Sequence, residues 1–143
     1  MDIAYPVSLS PQEDGSLLVS FPDVPEALSE GGSRAEALAQ AADALIAALG
    51  GYIHEGRVVP PPSAAGPDQP TVVLPSLTSA KLALYRTMRE AGLTPSALAR
   101  RLGMAEDAAR RLLDLDCRSR IEAIEGALAA LGKRLVVEIR DAA

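Results

Sequence analysis

The residues whose types and spacing most clearly indicate a binding function lie between positions 94 and 120. Ala99 is small enough for two helices to cross closely, and Gly103, four positions later, suits a tight turn that needs φ > 0. Apolar residues that would bury both helices flank these positions: Leu98, Leu102, Met104, Ala109 and Leu112. This spacing over residues 95–114 predicts a helix-turn-helix, and the alternative is an ordinary helical hairpin with the same apolar period.

The second helix of such a motif enters the major groove of DNA with its N-terminal end, while neighbouring side chains bind phosphate. The candidate DNA-binding residues lie on that helix, at the start of the helix before it and in the segment after it: Thr94, Ser96, Glu106, Asp107, Arg110, Arg111, Arg118 and Arg120. Arg110 could bind guanine with two hydrogen bonds, and an acid could accept one from cytosine. Glu106 and Asp107 are repelled by phosphate, although they also suit the first turn of a helix. For any single arginine, the alternative is a solvated surface side chain.

The formal charge is unevenly divided along the chain. Residues 1–70 contain two basic and ten acidic residues, a net charge of −8, whereas residues 71–143 contain twelve basic and nine acidic residues, a net charge of +3. An acidic half favours a basic protein partner, and an arginine-rich half favours phosphate. The alternative is ordinary surface charge without a partner.

A proline-rich segment separates the two halves. Residues 60–70 contain five prolines in eleven positions, which cannot continue a helix or a central strand. We therefore predict a domain at residues 1–60, a linker at 61–70 and a second domain at 71–143. Small domains bury little surface and gain stability by association, so a homodimer or a higher homo-oligomer is expected.

The first domain is predicted to be α+β, with three strands followed by one helix. Alternating apolar residues predict a hairpin of residues 2–10 and 16–22 and a short third strand near residues 26–30. Ser33 and Glu36 have the spacing of a capping box and predict the start of a long helix. Spacings of three and four define its expected core-facing residues: Leu38, Ala42, Leu45, Ile46, Leu49 and Ile53.

The second domain is predicted to be helical, with a strand at each end. A strand at Thr71–Leu74 precedes four predicted helices, at about 78–91, 94–103, 105–114 and 119–132, and residues 134–140 alternate as a final strand. Ser119 and Glu122 have capping-box spacing, and Ile121, Ile124, Leu128 and Leu131 form the expected buried face of the last helix. A lone final strand has an unpaired edge, so we expect it to pair with Thr71–Leu74 or with its counterpart in a second subunit.

Few residues suit metal-dependent or covalent catalysis. A single Cys excludes an internal disulfide and a Cys-built zinc site, and it indicates a reducing compartment. With only one His as well, a metal centre would depend almost entirely on carboxylates. A nuclease is the alternative, and its candidate carboxylates are Asp2, Asp14, Asp23, Glu36 and Asp43. Three of them suit other roles, because Asp14 falls in a turn, Asp23 lies between prolines and Glu36 has a capping role. We expect no enzyme activity, no metal and no cofactor. The first ten residues lack a secretion signal and no segment suits a membrane span, which favours the cytoplasm.

The chain resembles the HicB-type antitoxins of the helix-turn-helix subclass over nearly its whole length. The matching segments are Tyr5-Pro6-Val7, Phe21-Pro22-Asp23-Val24-Pro25, Ala37-Leu38, Ala41 through Leu45, Gly56 through Pro60, Ala80 through Tyr85, Met88-Arg89, Leu98 through Gly103, Arg111-Leu112-Leu113 and Leu128 through Lys133. The chain departs from the family pattern at Glu26, where Gly is usual, at Glu106 and Asp107, where basic or amide residues are common, and at Cys117, where His is common.

The resemblance implies a truncated ribonuclease-H-like β-β-β-α domain that binds and masks a small toxin, HicA, which is a ribonuclease that cleaves messenger RNA. It places the toxin-binding residues in the opening strand and in a later loop: Tyr5, Phe21, Asp23, Val24 and Glu26. The C-terminal domain would bind the operon's own promoter DNA as a dimer and repress it. The alternative is a helix-turn-helix transcriptional regulator whose N-terminal domain senses a small ligand.

Overall fold

The computed structural model describes residues 4–142 and has a mixed α+β fold, as predicted. Short strands in two sheets and one long helix make up the first part of the chain, and most of the remainder is helical. The chain divides into two compact units, residues 1–79 and residues 80–143, so the boundary lies beyond the proline-rich segment. The two units carry the charges of −8 and +3, because residues 71–79 contain no charged side chain.

Within the described residues 4–79, five short strands form two sheets. β1 (Ala4–Pro6) pairs antiparallel with β5 (Thr71–Val73), whereas β2 (Ser8–Pro11), β3 (Leu17–Ser20) and β4 (Leu28–Gly31) form an antiparallel sheet in that order. The predicted hairpin is present as β2 and β3, and the predicted third strand is present as β4.

The first predicted strand is split into β1 and β2. Val7 lies between them, and its N–H donates to the carbonyl of Pro70 at 3.0 Å. Pro6 has no N–H to donate to a strand ladder, which favours the change of partner at this point. Residues 2 and 3 of the predicted strand lie outside the described residues.

The proline-rich segment packs onto the first unit. The Tyr5 hydroxyl donates to the carbonyl of Pro60 at 2.7 Å. Asp23 Oδ2 accepts hydrogen bonds from the backbone N–H and the hydroxyl of Ser63, at 2.8 and 2.9 Å. These contacts bring the chain back to the sheet, where β5 then pairs with β1.

Helix α1 (Arg34–His54) packs against β3 and β4. Its N-cap is Ser33, whose hydroxyl accepts a hydrogen bond from the N–H of Glu36 at 3.2 Å, as the spacing predicts. Its buried residues are Ala37, Ala41, Leu45, Leu49 and Tyr52. The predicted face was therefore correct at Leu45 and Leu49 but wrong elsewhere, since Leu38, Ala42, Ile46 and Ile53 are only half-buried. The helix lies so close to β4 that a Cβ atom on Gly31 would overlap backbone atoms of Ala37, so small alanines face the sheet.

Four helices occupy the second part of the chain, close to their predicted positions: α2 (Ser76–Glu90), α3 (Pro95–Leu102), α4 (Glu106–Leu113) and α5 (Ile121–Ala130). Helix α3 packs against α4 and also contacts α5. Each helix contributes a side chain with no exposed surface to the core: Leu84, Leu98, Ala109 and Ile124.

The predicted start of α5 is wrong. Its N-cap is Arg120, which makes no side-chain cap hydrogen bond, rather than Ser119. The Ser119 hydroxyl instead accepts a hydrogen bond from Lys81 Nζ at 2.9 Å, so it is not used as a cap. Ile121, expected in the core, is 40% exposed, because the buried face of α5 consists of Ile124, Ala127 and Leu128.

The predicted final strand is also absent, because residues 134–140 form neither strand nor helix. Val137 and Ile139, two residues of its expected inner face, are 77% and 90% exposed. A strand needs a backbone partner, and β5, one of the two expected partners, forms a two-stranded sheet with β1 alone within the described residues. Pairing with Thr71–Leu74 is therefore wrong, and pairing with a second subunit stays a prediction.

Candidate nucleic-acid interface

Helices α3 and α4 form the helix-turn-helix that the spacing predicts. The Thr94 hydroxyl accepts a hydrogen bond from the N–H of Ala97 at 3.1 Å, and Pro95 occupies the first turn of α3, where its missing N–H costs nothing. Gly103 ends α3 with φ = 66°, a left-handed conformation that favours glycine. The N–H of Met104 then donates to the carbonyl of Ala99 at 3.0 Å, which closes the turn.

The predicted core of this motif is mostly correct. Leu98, Ala99, Ala109 and Leu112 are buried, and Leu102 is half-buried. Met104 is exposed instead, because it lies in the turn between the helices. The buried alanines allow the two helices to pack closely, which holds α4 as one rigid element.

The outer face of α4 carries all four candidate DNA-reading side chains, namely Glu106, Asp107, Arg110 and Arg111, and all four are exposed. Arg110 Nη2 lies 2.6 Å from Glu106 Oε1, one helical turn away. Hydrogen bonds from Arg110 and then from Ser96 hold the pKa of Glu106 below its usual value. Glu106 therefore links the start of α3 to α4. An exposed ion pair contributes only about 0–1 kcal/mol, so a phosphate or a guanine can replace Glu106 as the partner of Arg110 at small cost.

Two further candidates follow α4 in the loop that leads to α5. Arg118 and Arg120 are both exposed, and the structure pairs neither with a carboxylate of residues 4–142. Asp114 orders this loop, since its Oδ1 accepts from the N–H of Asp116 at 2.9 Å and its carbonyl accepts from the N–H of Cys117 at 3.2 Å. The structure thus presents Arg118 and Arg120 from a short, hydrogen-bonded loop beside the helix-turn-helix.

The buried charge of Lys81 was not predicted as functional. Lys81 lies on α2, is 1% exposed, and its Nζ donates to the carbonyls of Arg111 and Asp114, both at 2.7 Å, and to the hydroxyl of Ser119 at 2.9 Å. Burial lowers the pKa of this lysine, and the neighbouring Cys117 and Asp114 oppose the shift. The available signal was a lone lysine inside the apolar run of residues 80–85.

Cys117 is half-buried beside this lysine. Burial raises the pKa of its thiol, and a hydrogen bond with Asp114 and the charge of that carboxylate raise it further. A raised pKa leaves the sulfur protonated near neutral pH, and a protonated thiol is a poor nucleophile.

The five predicted toxin-binding residues lie in the first unit and differ in their exposure. Three of them are buried in its core and expose almost no atoms to a partner: Tyr5, Phe21 and Val24. They can therefore support the surface loop by packing under it but cannot contact a partner directly. Asp23 is half-buried, and its carboxylate binds Ser63. Only Glu26 is exposed.

Glu26 lies near an aromatic and cationic group at the end of α1. A hydrogen bond with Glu26, followed by burial, raises the pKa of Tyr52. The guanidinium carbon of Arg57 lies 4.1 Å from the centroid of the Tyr52 ring, a distance typical of a cation–π contact. The loop that carries Glu26 is thus tied to the C-terminal end of α1.

The candidate nuclease carboxylates do not form a metal site in the part of the chain that the structure describes. Within residues 4–142 no group of three or more His, Cys, Asp or Glu side chains could hold a metal ion. Asp14 instead binds the hydroxyl and N–H of Ser16, which lowers its pKa. Asp2 lies outside the described residues. None of the helices in the described part is long and apolar enough to cross a membrane.

Together, the fold and the sites define a two-unit protein in which an acidic α+β unit precedes a helix-turn-helix unit that carries exposed arginines. A family model for the HicB-like antitoxin of bacterial toxin-antitoxin systems matches residues 4–83. This chain belongs to the HicB antitoxin family.

The relatives extend the match to nearly the whole chain. Antitoxin HicB of Escherichia coli strain K12 is 36% identical over 131 residues, which cover 92% of this chain and 95% of the relative. Antitoxin HicB 2 of Photorhabdus laumondii is 40% identical over 134 residues, 94% of each chain. Antitoxin HicB of Pseudomonas fluorescens strain Pf0-1 is 37% identical over 132 residues, 92% of this chain and 90% of the relative. The chain is therefore an antitoxin of a bacterial toxin-antitoxin system.

Proposed function

We propose that this antitoxin binds and neutralises a co-encoded HicA-type toxin that cleaves messenger RNA, and that it represses its own operon by binding promoter DNA. The observation that carries the proposal is the similarity to HicB antitoxins along more than nine-tenths of the chain, both units included. The net charges of the two units support the same assignment, with toxin binding by the acidic unit and DNA binding by the basic unit. We further propose that the protein acts in the cytoplasm, is not an enzyme and needs no cofactor.

The acidic first unit is the proposed toxin-binding part. Its net charge of −8 is complementary to a basic protein that handles RNA, and complementary charge speeds association and fixes orientation. We place the contact on the loop of residues 22–26, where Glu26 is exposed and Asp23 is fixed by Ser63. Tyr5, Phe21 and Val24 would act by holding that loop in shape.

The second unit is the proposed DNA-binding part. Helix α4 would enter the major groove, with Arg110 and Arg111 on its outer face. Arg118 and Arg120 would bind phosphate on one side, while Thr94 and Ser96 add neutral phosphate contacts at the start of α3. Glu106 would act by orienting Arg110 instead of by reading a base, since the two side chains are hydrogen-bonded.

Dimerisation is proposed through the C-terminal segment. Val136, Val137 and Ile139 are 74%, 77% and 90% exposed, and β-branched residues of this kind favour a strand once a backbone partner is supplied. A second copy of the segment would supply it. A two-fold dimer would then present two α4 helices to successive half-sites on DNA.

Co-expression tests the toxin-binding part of the proposal. The neighbouring toxin gene is induced alone, with the full chain, and with the full chain bearing Glu26→Lys. We expect the full chain to relieve growth arrest and to co-purify with the toxin, and the charge reversal to weaken both effects. Asp43→Lys is the matched control, because Asp43 is an exposed acid on α1, outside the proposed loop.

A promoter reporter tests the DNA-binding part in the same strains. We expect the full chain to lower expression from its own promoter and to retard a promoter duplex in a gel. Repression without relief of growth arrest, and without a complex with the toxin, would instead favour a regulator that senses a small ligand.

A further inference from the structure

We infer that Lys81 is a positioning residue for DNA recognition: its buried ammonium group holds the C-terminal end of α4 and the following loop in the geometry that DNA binding requires. This inference rests on the proposed DNA binding. It goes beyond it by assigning a role in recognition to a side chain that cannot touch the duplex, since Lys81 is 1% exposed.

All three N–H donors of the ammonium group have acceptors. They bind the carbonyls of Arg111 and Asp114 and the hydroxyl of Ser119, at 2.7, 2.7 and 2.9 Å. A buried charge is costly unless its hydrogen bonds are complete, so this arrangement restrains all three acceptors at once. A neutral, apolar side chain would fill the same space without restraining anything.

The three acceptors lie at the end of α4 and in the loop that carries Arg118. Arg111 lies in the last turn of α4, Asp114 is the C-cap of that helix, and Ser119 lies one residue before the N-cap of α5. The carbonyls at a helix C-terminus lack intrahelical partners and carry partial negative charge, which an ammonium group satisfies. Lys81 thereby joins α2, the end of α4 and the start of α5 through one atom.

The side chains that this group positions are the proposed DNA contacts. Lys81 restrains the backbone of Arg111 by binding its carbonyl. Arg118 directly precedes Ser119, whose hydroxyl Lys81 also binds. Helix α4 has only eight residues, and a helix this short is marginal by itself, so its last turn depends on tertiary contacts. The buried Leu112 and Leu113 anchor one side of that turn, and Lys81 binds its C-terminal carbonyls. Loss of the ammonium group would let the last turn of α4 and the loop move. Arg111 and Arg118 would then no longer be held at a fixed spacing that matches the phosphates of the duplex.

The test uses the full chain and a duplex of the promoter region upstream of its own operon. Lys81→Met keeps the length and apolar stem but removes all three donors. We expect it to bind that duplex 10- to 100-fold more weakly and to lower the slope of log affinity against log salt by about 1, the loss of one phosphate contact. A shuffled duplex measures non-specific binding, which we expect to weaken as well, because a phosphate contact does not depend on the base sequence.

Leu84→Ala is the matched control for stability. Leu84 is a fully buried residue of the same helix, it touches none of the three acceptors through hydrogen bonds, and its truncation lowers the melting temperature. Measured well below both melting temperatures, Leu84→Ala should keep the wild-type affinity and salt slope. A role limited to stability would make the two variants behave alike, and that result would overturn the inference.

Ser119→Ala keeps the inference testable if Lys81→Met does not fold. This change removes one acceptor and leaves the two carbonyl contacts, so we expect a several-fold loss of affinity and a smaller fall in melting temperature than the loss of the whole ammonium group would cause. Wild-type affinity for Ser119→Ala together with an unfolded Lys81→Met would assign Lys81 to folding alone. If the wild-type chain does not bind the promoter duplex, the proposed DNA binding itself fails, and that result is distinct from equal binding by wild type and variants.

Discussion

The close approach of α1 to β4 can be tested with a single methyl group. Gly31 is buried at the end of β4, and a Cβ atom at this position would overlap the backbone nitrogen of Ala37 and lie 2.7 Å from its Cα atom and 2.9 Å from the carbonyl carbon of Glu36. These are backbone atoms near the start of α1, so they cannot rotate away as a flexible side chain would. Gly31→Ala must therefore push the helix off the sheet or distort the strand.

The size of the effect follows from the contacts. Inserting a methyl group into a packed core costs about 1–3 kcal/mol, and three overlaps with backbone place this change near the upper limit, at about 3 kcal/mol. A unit of this size has a total stability of the order of 5–10 kcal/mol, so the loss corresponds to a drop in melting temperature of roughly 10–20 °C. Gly50→Ala is the control, because Gly50 lies within α1 and a Cβ atom added there would meet no other atom within 4 Å. Alanine at that position should gain up to about 1 kcal/mol of helix propensity.

Urea unfolding of the full chain, followed by circular dichroism, measures the free energy of unfolding of each variant. Amide hydrogen exchange assigns the change to α1 and the three-stranded sheet. We expect cells that express the Gly31→Ala variant to be no longer protected from the toxin at growth temperature, whereas cells that express Gly50→Ala remain protected. Equal stability of Gly31→Ala and wild type would refute the reasoning, because it would mean that the helix and the strand do not approach as closely as described.

Five further experiments test other parts of the structure. Arg118→Ala should lower the salt slope of operator binding by about 1, and Arg110→Ala should weaken binding by about 1–3 kcal/mol and relax sequence preference at one base pair; an unchanged slope in gel-shift titrations would remove Arg118 from the contacts. Thr94→Ala should destabilise the second unit by about 1 kcal/mol in thermal unfolding, because the Ala97 N–H loses its acceptor, and an unchanged melting temperature would contradict this. Deleting residues 134–143 should convert a dimer into a monomer in light scattering, and a dimer that survives the deletion would exclude this segment as the contact. Cys117 should react with iodoacetamide at pH 8 more slowly in the native chain than in urea, because burial raises the pKa of its thiol, whereas equal rates would show that the thiol is accessible and unperturbed.

The features that the sequence predicted correctly are local ones. The Thr94 cap, Pro95 in the first turn of α3 and the left-handed Gly103 each follow from the conformational preference of one residue and its near neighbours. The Ser33 cap of α1 and the hairpin of β2 and β3 have the same origin. Local preferences of this kind are visible in a short window of sequence, which is why the helix-turn-helix could be located without a structure.

The errors have a common cause as well. The buried face of α1 was misplaced because apolar periodicity favours the larger side chains, whereas the close approach to Gly31 selects Ala37 and Ala41. Ser119 has the spacing of a cap, but a lysine 38 positions earlier in the chain takes its hydroxyl. The alternating pattern of residues 134–140 describes a strand that has no backbone partner in the described chain.

The sequence by itself thus determined most of the elements, the Ser33 and Thr94 caps, the Gly103 turn, the separation of charge and the family, because each of these is set by residue type and short spacing. Only the tertiary structure decided that the proline-rich segment returns to Asp23 and Tyr5, that Tyr5, Phe21 and Val24 face inward, and that Lys81 reaches the end of α4. These contacts join residues 30 or more positions apart, or depend on which side of an element is covered. They follow from packing of the whole chain, which minimises exposed apolar surface and unpaired polar groups together, and no local pattern encodes that balance.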